Sequence, residues 1–546
     1  MPNFFRLNHI SKSQWHKLAE IILIMILICM ATASYVYFSH DQSHLLYGDA
    51  LSRMNISRKL FDNLTPGFAQ VGNVWLPLPQ LMMAPFTTND YLWRSGLAGA
   101  FMSGFFFVLG GYSIYKAAKL LTDSIFAAYM SSAIFALNIN VLYLQTTAMS
   151  ELSFLGLASF LTFTLVMWAK SHRLSYLLLS ALSISLVTLT RYEGLALLAS
   201  STTFVFAYSF LIHRKYKNAE GSLVLFGTLA VAGFAMWTLY LATIFGDPLY
   251  WKNYYIGSVA SSTPAAPAET VRKFTQDITI FAATWKYFTA TVWMNGLIPV
   301  TFALFGYLIS TFKILLKKMP FHLPIFLHLS VYAFLVFTLT RNTPINQPAL
   351  TLDALLSFNT NYFIEFNLRY GILMLPAIAV ASSYLFAFKN IFVRLILVLL
   401  VGIQILNYIY PFGTLIYQIP VAVRENITRN YPRDLALIEW FKENYDGGPI
   451  LISAAKHDPK MFNMGIDYKN FIHEGTQQYW TGSLLFPPKY AKWIIYDYYG
   501  QGGASDSVYR NLKDSEYVTI NYDIVYDYEG IRVYKIKTKP DIDIGI

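Results

Sequence analysis

Eight ionisable residues stand where long apolar runs of the chain begin or end: Asp49, Glu151, Arg191, Glu193, Asp247, Arg341, Glu365 and Arg369. Charges at such depth are unfavourable unless they are paired or used. A carboxylate there can take the proton of an attacking hydroxyl, and guanidinium forks suit phosphate oxygens at a membrane surface. Plainer roles account for the same residues. Asp49 follows Gly48 at an expected helix start, where it could cap the helix and pair with Arg53 at i+4. Glu151 in TAMSELSF and the TRYEG cluster could be helix-end charges, which is the preferred reading for Glu193. Arg369 and Tyr370 in FNLRYG could form a snorkelling anchor. His44, His457, His473 and the acids of the tail are expected to be structural, because HExxH and paired metal-ligand spacings are absent from the sequence.

The elements that must position these groups are membrane spans. Of 546 residues, 55% are hydrophobic and only 13% charged, a balance that excludes an ordinary soluble domain. Apolar runs long enough to cross a hydrocarbon core predict about eleven spans: 18–38, 92–115, 124–141, 149–169, 174–190, 193–212, 222–243, 287–311, 323–340, 371–388 and 391–410. With the amino terminus inside, the inner segments hold fifteen lysines and arginines against three carboxylates, while the outer loops are balanced and the tail from 412 is slightly acidic. That bias sets a cytoplasmic amino terminus and an extracytoplasmic tail. The net charge of +10 therefore reflects topology, and no nucleic-acid motif accompanies it. The single cysteine, Cys29, lies within the first apolar run, so the outer parts hold together without disulfides. The first segment also has the basic start, apolar core and ATAS end of a cleavable signal, without consequence for the later spans.

Long outer segments, 39–91, 244–286, 341–370 and the tail, make the outer side the working face. In HLLYGDALSRMNISRKLFDNL, residues 44–64, Leu51, Met54, Leu60, Phe61 and Leu64 can share a helical face opposite Arg53, Arg58 and Lys59, which predicts an amphipathic helix lying on the membrane. The following TPGFAQVGNVWLPLPQLMMAPF suggests an interface-hugging hairpin, and 261–268 and 342–348 irregular loops. Within the tail, DLALIEWFKENY is expected as a helix, GPILISA and AKWIIYDYY as buried strands, and DIVYDYEGIRVYKIK as a hairpin turning at Glu529 and Gly530.

These pieces together resemble the GT-C glycosyltransferases, polytopic enzymes that take sugars from polyprenyl-phosphate carriers, and more specifically their protein-mannosyltransferase and lipid A aminoarabinose-transferase branch, family 39-like. The similarity is carried by YGDALSR, WLPLPQLMMAP, the TAMSEL helix start, TRYEG and FNLRYGILMLP, and spans residues 1 to about 410. It implies an all-α polytopic membrane domain over 1–411, with outer juxtamembrane helices in 44–91, and a small extracytoplasmic α/β domain over 412–546. It also implies an inverting transfer, hexosyl or pentosyl, to a protein, lipid or glycan acceptor. Asp49 would be the general base, Glu151 a less secure second acid, Arg53 its support, and Arg58, Arg191, Arg341, Arg369 and Tyr370 the ligands of the donor phosphate. Two departures stand out: no D-x-D pair matches the family's second outer loop, and WIIYDYYG lacks the tryptophan pair of the oligosaccharyltransferase WWDYG signature. No metal is therefore expected, although Asp49 with Glu151 could hold one ion. The competing reading is a transporter or flippase for a lipid-linked or polar substrate, which would carry polar residues at mid-membrane depth and broken helices.

Overall fold

The structure is a computed structural model that describes residues 12–72, 74–213, 216–251, 278–340, 367–409, 432–498 and 506–537. Arg341, the segments 261–268 and 342–348 and the expected 411/412 boundary lie outside the described residues. The helices in chain order are α1 (Lys12–His40), α2 (Gly48–Lys59), α3 (Leu78–Thr87), α4 (Asp90–Arg94), α5 (Leu97–Thr122), α6 (Ile125–Ala136), α7 (Ile139–Leu144), α8 (Glu151–Ser171) and α9 (Leu174–Val187). They continue as α10 (Gly194–His213), α11 (Tyr216–Phe245), α12 (Ile280–Asn295), α13 (Leu297–Lys317), α14 (Leu329–Leu339), α15 (Leu375–Phe386) and α16 (Ile391–Ile409). Short 3₁₀ stretches, Pro320–His328 and Leu368–Met374, lead into α14 and α15.

Among the described residues, eight helical segments are long and apolar enough to cross a membrane, and Ile125–Ala136, Leu174–Val187 and Ile391–Leu406 are shorter apolar helices. The chain is an integral membrane protein built almost entirely of helices. Its spans keep large apolar side chains on the outside, among them Ile21, Met25, Leu304, Phe305, Leu308, Phe312, Phe392 and Leu399, as a lipid solvent requires. One expected span shifts register. Residues 287–311 divide at Gly296, whose φ of 86° breaks the helix and whose absent side chain admits Gln404, a Cβ there lying 2.6 Å from Gln404 Cδ.

Small residues let the central helices approach closely. A Cβ on Gly156 of α8 would lie 2.5 Å from the Phe106 carbonyl oxygen of α5, and one on Gly99 would lie 2.6 Å from Ala148 Cβ. With no hydrophobic effect between helices in lipid, such backbone contact is what holds them. At the end of α1 and α5 away from residue 49, Glu20 binds Lys116 at 2.9 Å and Lys119 at 3.5 Å.

The carboxyl-terminal part is a small α/β unit. Its helix α17 (Pro432–Asn444) is followed by β1 (Ile450–Leu451), α18 (Ala454–Asn463), β2 (Phe471–Ile472), β3 (Trp493–Asp497), β4 (Tyr522–Tyr528) and β5 (Ile531–Ile536). The sheet order is β2-β1-β3-β5-β4, parallel across β2, β1 and β3 and antiparallel beyond. The β4–β5 turn uses Glu529 (φ 44°) and Gly530 (φ 89°), the two positive dihedrals that suit a tight hairpin. The helix, both strands and the hairpin stand where the residue pattern expects them.

The helix expected to lie on the membrane is instead enclosed. Leu51 and Met54 of α2 are buried as expected, but so are Arg53, Arg58 and Lys59. The basic side is covered because α2 is sandwiched: Ser57 Oγ donates to the Gln80 carbonyl of α3 (2.9 Å), while Lys59 meets Asp458 of α18 (3.1 Å). The segment expected as a hairpin forms a 3₁₀ turn, Phe68–Val71, and α3, and Leu78 N–H ties it to the Leu189 carbonyl (3.0 Å).

Inside the α/β unit, fully buried His457 donates from Nε2 to Asp506 (2.9 Å) and accepts at Nδ1 from Lys460 Nζ (2.8 Å), which assigns the neutral tautomer. Burial, and then the Lys460 charge, push its pKa below the ordinary 6.5, against the pull of Asp506. Burial also holds His473 well below the ordinary value. An unfolded chain takes up these protons near pH 6.5 and the folded one does not, so stability is present above that pH and declines as pH falls below it. We predict a lower unfolding midpoint at pH 5 than at pH 7.5, with a slope of up to about 1.4 kcal/mol per pH unit for each histidine. Midpoints that do not change between the two would refute the buried neutral histidines.

Candidate active site

Four separate segments deliver charge to one point. Asp49 is the second residue of α2, behind Tyr47 as the cap residue, so it is not itself the cap. Glu151 is the first residue of α8, and Glu193 immediately precedes α10. Each carboxylate thus lies at a helix amino terminus, whose dipole favours negative charge. Arg191 follows the end of α9. Arg369 lies in the 3₁₀ stretch before α15.

Arg369 joins them. Its Nη2 donates to Asp49 Oδ2 at 2.8 Å, and its Nε lies 3.2 Å from Glu151 Oε1. Arg191 Nη1 donates to the same Glu151 oxygen at 2.9 Å and its Nη2 to Glu193 Oε1 at 2.8 Å. Burial opposes the Arg191 charge, but Glu193 and Glu151 outweigh it and hold its pKa above the ordinary value. The gradient of exposure is steep: 40% for the Asp49 side chain, 8% for Arg369 and 0% for Glu151. Among these described side chains Asp49 is the most exposed. Glu151 Oε2 is buried and has no hydrogen-bond partner among the described residues, leaving one acceptor beside the two guanidinium groups.

Aromatic faces set the planes of the arginines. Arg369 lies 5.1 Å from the Tyr47 ring centroid and 5.8 Å from that of Tyr370, which Arg191 also faces at 5.0 Å. Arg53 lies 4.5 Å from the Trp75 ring centroid, and burial lowers its pKa to about 10 against the pull of Glu151 and Asp49, so it remains cationic at neutral pH. The 3₁₀ stretch is itself fixed by α12. Tyr287 Oη donates to the Tyr370 carbonyl (3.0 Å), Asn295 Nδ2 donates to the Gly371 carbonyl (2.8 Å), and a Cβ on Gly371 would collide with the Ala290 carbonyl.

Sequence-expected residues thus part into two groups. Asp49, Glu151, Arg191, Arg369 and Tyr370 meet, and Arg53 acts on them through its charge. Arg58 has other partners: Asp62 (2.9 Å), Asp90, the carbonyls of Thr87 (2.8 Å) and Thr88 (3.0 Å), and the Trp93 ring. There it locks the end of α2 to the turn between α3 and α4. Glu193, expected as a helix-end charge, is a member of the network; only its place two residues after Arg191 signals this. Tyr47, the first residue of the YGDALSR motif, carries no sequence signal for stacking on Arg369.

The donor set suits an anion better than a divalent cation. Arg369 stands against both Asp49 and Glu151, and no group of three His, Cys, Asp or Glu side chains that could share an ion occurs among the described residues.

No family model and no curated protein matches the chain. Among solved structures it is similar to ArnT from Cupriavidus metallidurans in the apo state, with 12% identity and a TM-score of 0.49 over 94% of this chain and 97% of that one. It is similar to the same protein bound to undecaprenyl phosphate, with 12% identity and a TM-score of 0.42 over 96% and 98%. The apo oligosaccharyltransferase of Archaeoglobus fulgidus is similar at 11% identity and a TM-score of 0.48, over 89% of this chain and 70% of that one.

The network predicts an order of severity. Glu151 answers two buried arginines and Glu193 one, so Glu151→Ala should destabilise the protein by about 3–5 kcal/mol and Glu193→Ala by less. Unfolding midpoints of the purified variants measure this; equal losses would contradict the shared role of Glu151.

Proposed function

We propose that this chain is an integral-membrane, inverting glycosyltransferase of the GT-C kind, moving a sugar from a polyprenyl-phosphate carrier to an acceptor hydroxyl, with Asp49 as general base. The observation that supports it most is the ion chain in which Arg369 holds the exposed Asp49 on one side and the buried Glu151 on the other. A base needs access to its proton donor, and a departing phosphate needs fixed positive charge; these two requirements meet at Arg369.

The reaction is a single displacement. The acceptor oxygen attacks C1 of the sugar as its proton passes to an Asp49 oxygen, the C1–O bond to phosphate breaks on the opposite face, and the electron pair leaves with the phosphate. Arg369 and Arg191 are the cations within reach of those phosphate oxygens, with Tyr370 holding both guanidinium planes. An arriving phosphate competes with Asp49 for Arg369. Glu151 is then the anchor of the two arginines more than a second acid, and Arg53 contributes charge beside Trp75. Arg58 serves the fold in this scheme, and Arg341, at the end of an apolar run, completes the set of candidate phosphate ligands. The lysine and arginine bias supports a reaction on the extracytoplasmic side, with residues 412–546 proposed as the domain on that face. The sugar, hexosyl or pentosyl, and the protein, lipid or glycan acceptor are for assay to identify.

The test is turnover of a panel of polyprenyl-phosphate sugars by the protein in lipid discs, reading release of free polyprenyl phosphate. The expected result is release by the parent and a loss of about 10²–10⁴-fold in Asp49→Asn with donor binding retained. Donors that neither form binds would sink the proposal and favour the transporter reading.

A further inference from the structure

If Asp49 is the base, as proposed, its position must survive the departure of Arg369 to the phosphate. The elements that remain are the apolar side of α2, packed on α3 and α5, and a polar side that faces the carboxyl-terminal unit. Gly48, Asn55 and Lys59 lie seven and four residues apart, so they share one face of α2 over about 16 Å. All three meet α18. A Cβ on Gly48, the residue beside Asp49, would lie 3.5 Å from Pro459 Cγ. Asn55 Nδ2 donates to the Asp458 carbonyl (2.9 Å) and to its carboxylate (3.2 Å), and Lys59 Nζ donates to the other carboxylate oxygen (3.1 Å). Tyr468 Oη donates to that oxygen as well, at 3.3 Å, and its ring lies 5.3 Å below Lys59.

These groups are all buried: Asn55, Lys59, Asp458 and Tyr468 are each less than a tenth exposed. A buried ion pair is a weak source of stability compared with apolar packing, but it is demanding in geometry. Farther along, the Asp62 carboxylate accepts from the backbone N–H of Tyr468 (3.3 Å) and of Lys469 (3.1 Å), and Trp93 lies edge-on to Phe462. The apolar side fixes how deep α2 sits, while the polar ladder fixes its rotation and its slide along its own axis. Both decide where the Asp49 carboxylate points.

We propose that Asp458 and Lys59 are positioning residues for the base: through them α18 acts as the stop against which α2, and so Asp49, is aligned. The carboxyl-terminal unit is then a working part of the transferase site through contact with α2.

The test is a double-mutant cycle in the full-length protein in lipid discs, with the polyprenyl-phosphate sugar that the parent turns over. Lys59→Met and Asp458→Asn should each lower kcat by about 10–100-fold, the loss expected of a slight misplacement, with KM for the donor within about twofold of the parent. The conservative Lys59→Arg should recover kcat to within about threefold of the parent, whereas the double variant, which lacks the contact altogether, should be about as slow as the poorer single because both singles remove the same contact. Singles with parental kcat overturn the proposal. So do losses that multiply in the double, a double restored to parental kcat, or a parallel loss of donor binding. Should a single fail to fold, the double and Lys59→Arg carry the decision by the same criteria. A parent that turns over no donor overturns the transferase reading and this inference together, whereas an active parent with unaffected singles overturns only the inference.

Discussion

The Arg369 guanidinium is shared by two carboxylates from different helices, and that sharing organises the end of the helical bundle. Taking any of these ions out of water alone would be strongly unfavourable. Together, Asp49, Glu151 and Glu193 with Arg53, Arg191 and Arg369 carry no net charge, and the three carboxylates stand at three helix amino termini. The balance constrains everything nearby. Gly371 can only be glycine because its backbone lies on the Ala290 carbonyl, and that contact sets where Arg369 begins. Tyr47 and Tyr370 then leave its side chain little freedom.

A network that closes on itself would be inert. This one is most exposed at Asp49, and Glu151 Oε2 has no hydrogen-bond partner among the described residues. In the proposed reaction an entering anion would meet arginines already oriented by Glu151. Enclosure of α2 between the bundle and the α/β unit serves the same end. A surface helix could rock with the lipid, whereas α2 is bounded on one side by Ser57 against Gln80 and on the other by Lys59 against Asp458.

Much of this was legible in the sequence, and for physical reasons. Spans are set by the thickness of the bilayer, so apolar length finds them, and the DIVYDYEGIRVYKIK hairpin is visible because Glu-Gly supplies a turn between alternating residues. Asp49, Glu151, Arg191 and Arg369 were legible because an ionisable residue at the end of an apolar run needs a reason to be there. What could not be read is whatever depends on a distant partner. Arg53, Arg58 and Lys59 look like the wet face of a membrane-surface helix, since nothing local shows that Trp75, Asp90 and Asp458 cover them. The break at Gly296 was hidden for the same reason, because the residue that fills the gap is Gln404. Arg58 and Arg191 are both candidate phosphate ligands by residue type, and only their partners separate a lock at the end of α2 from a member of the candidate site.

The account turns on Arg369 exchanging one anion for another. The most direct test is the structure of the protein in lipid discs with a polyprenyl phosphate bound. The account predicts that Arg369 leaves Asp49 Oδ2, now 2.8 Å away, and with Arg191 contacts the phosphate oxygens while Glu151 continues to hold both arginines. A phosphate bound elsewhere, with the Asp49–Arg369 pair intact, would contradict it.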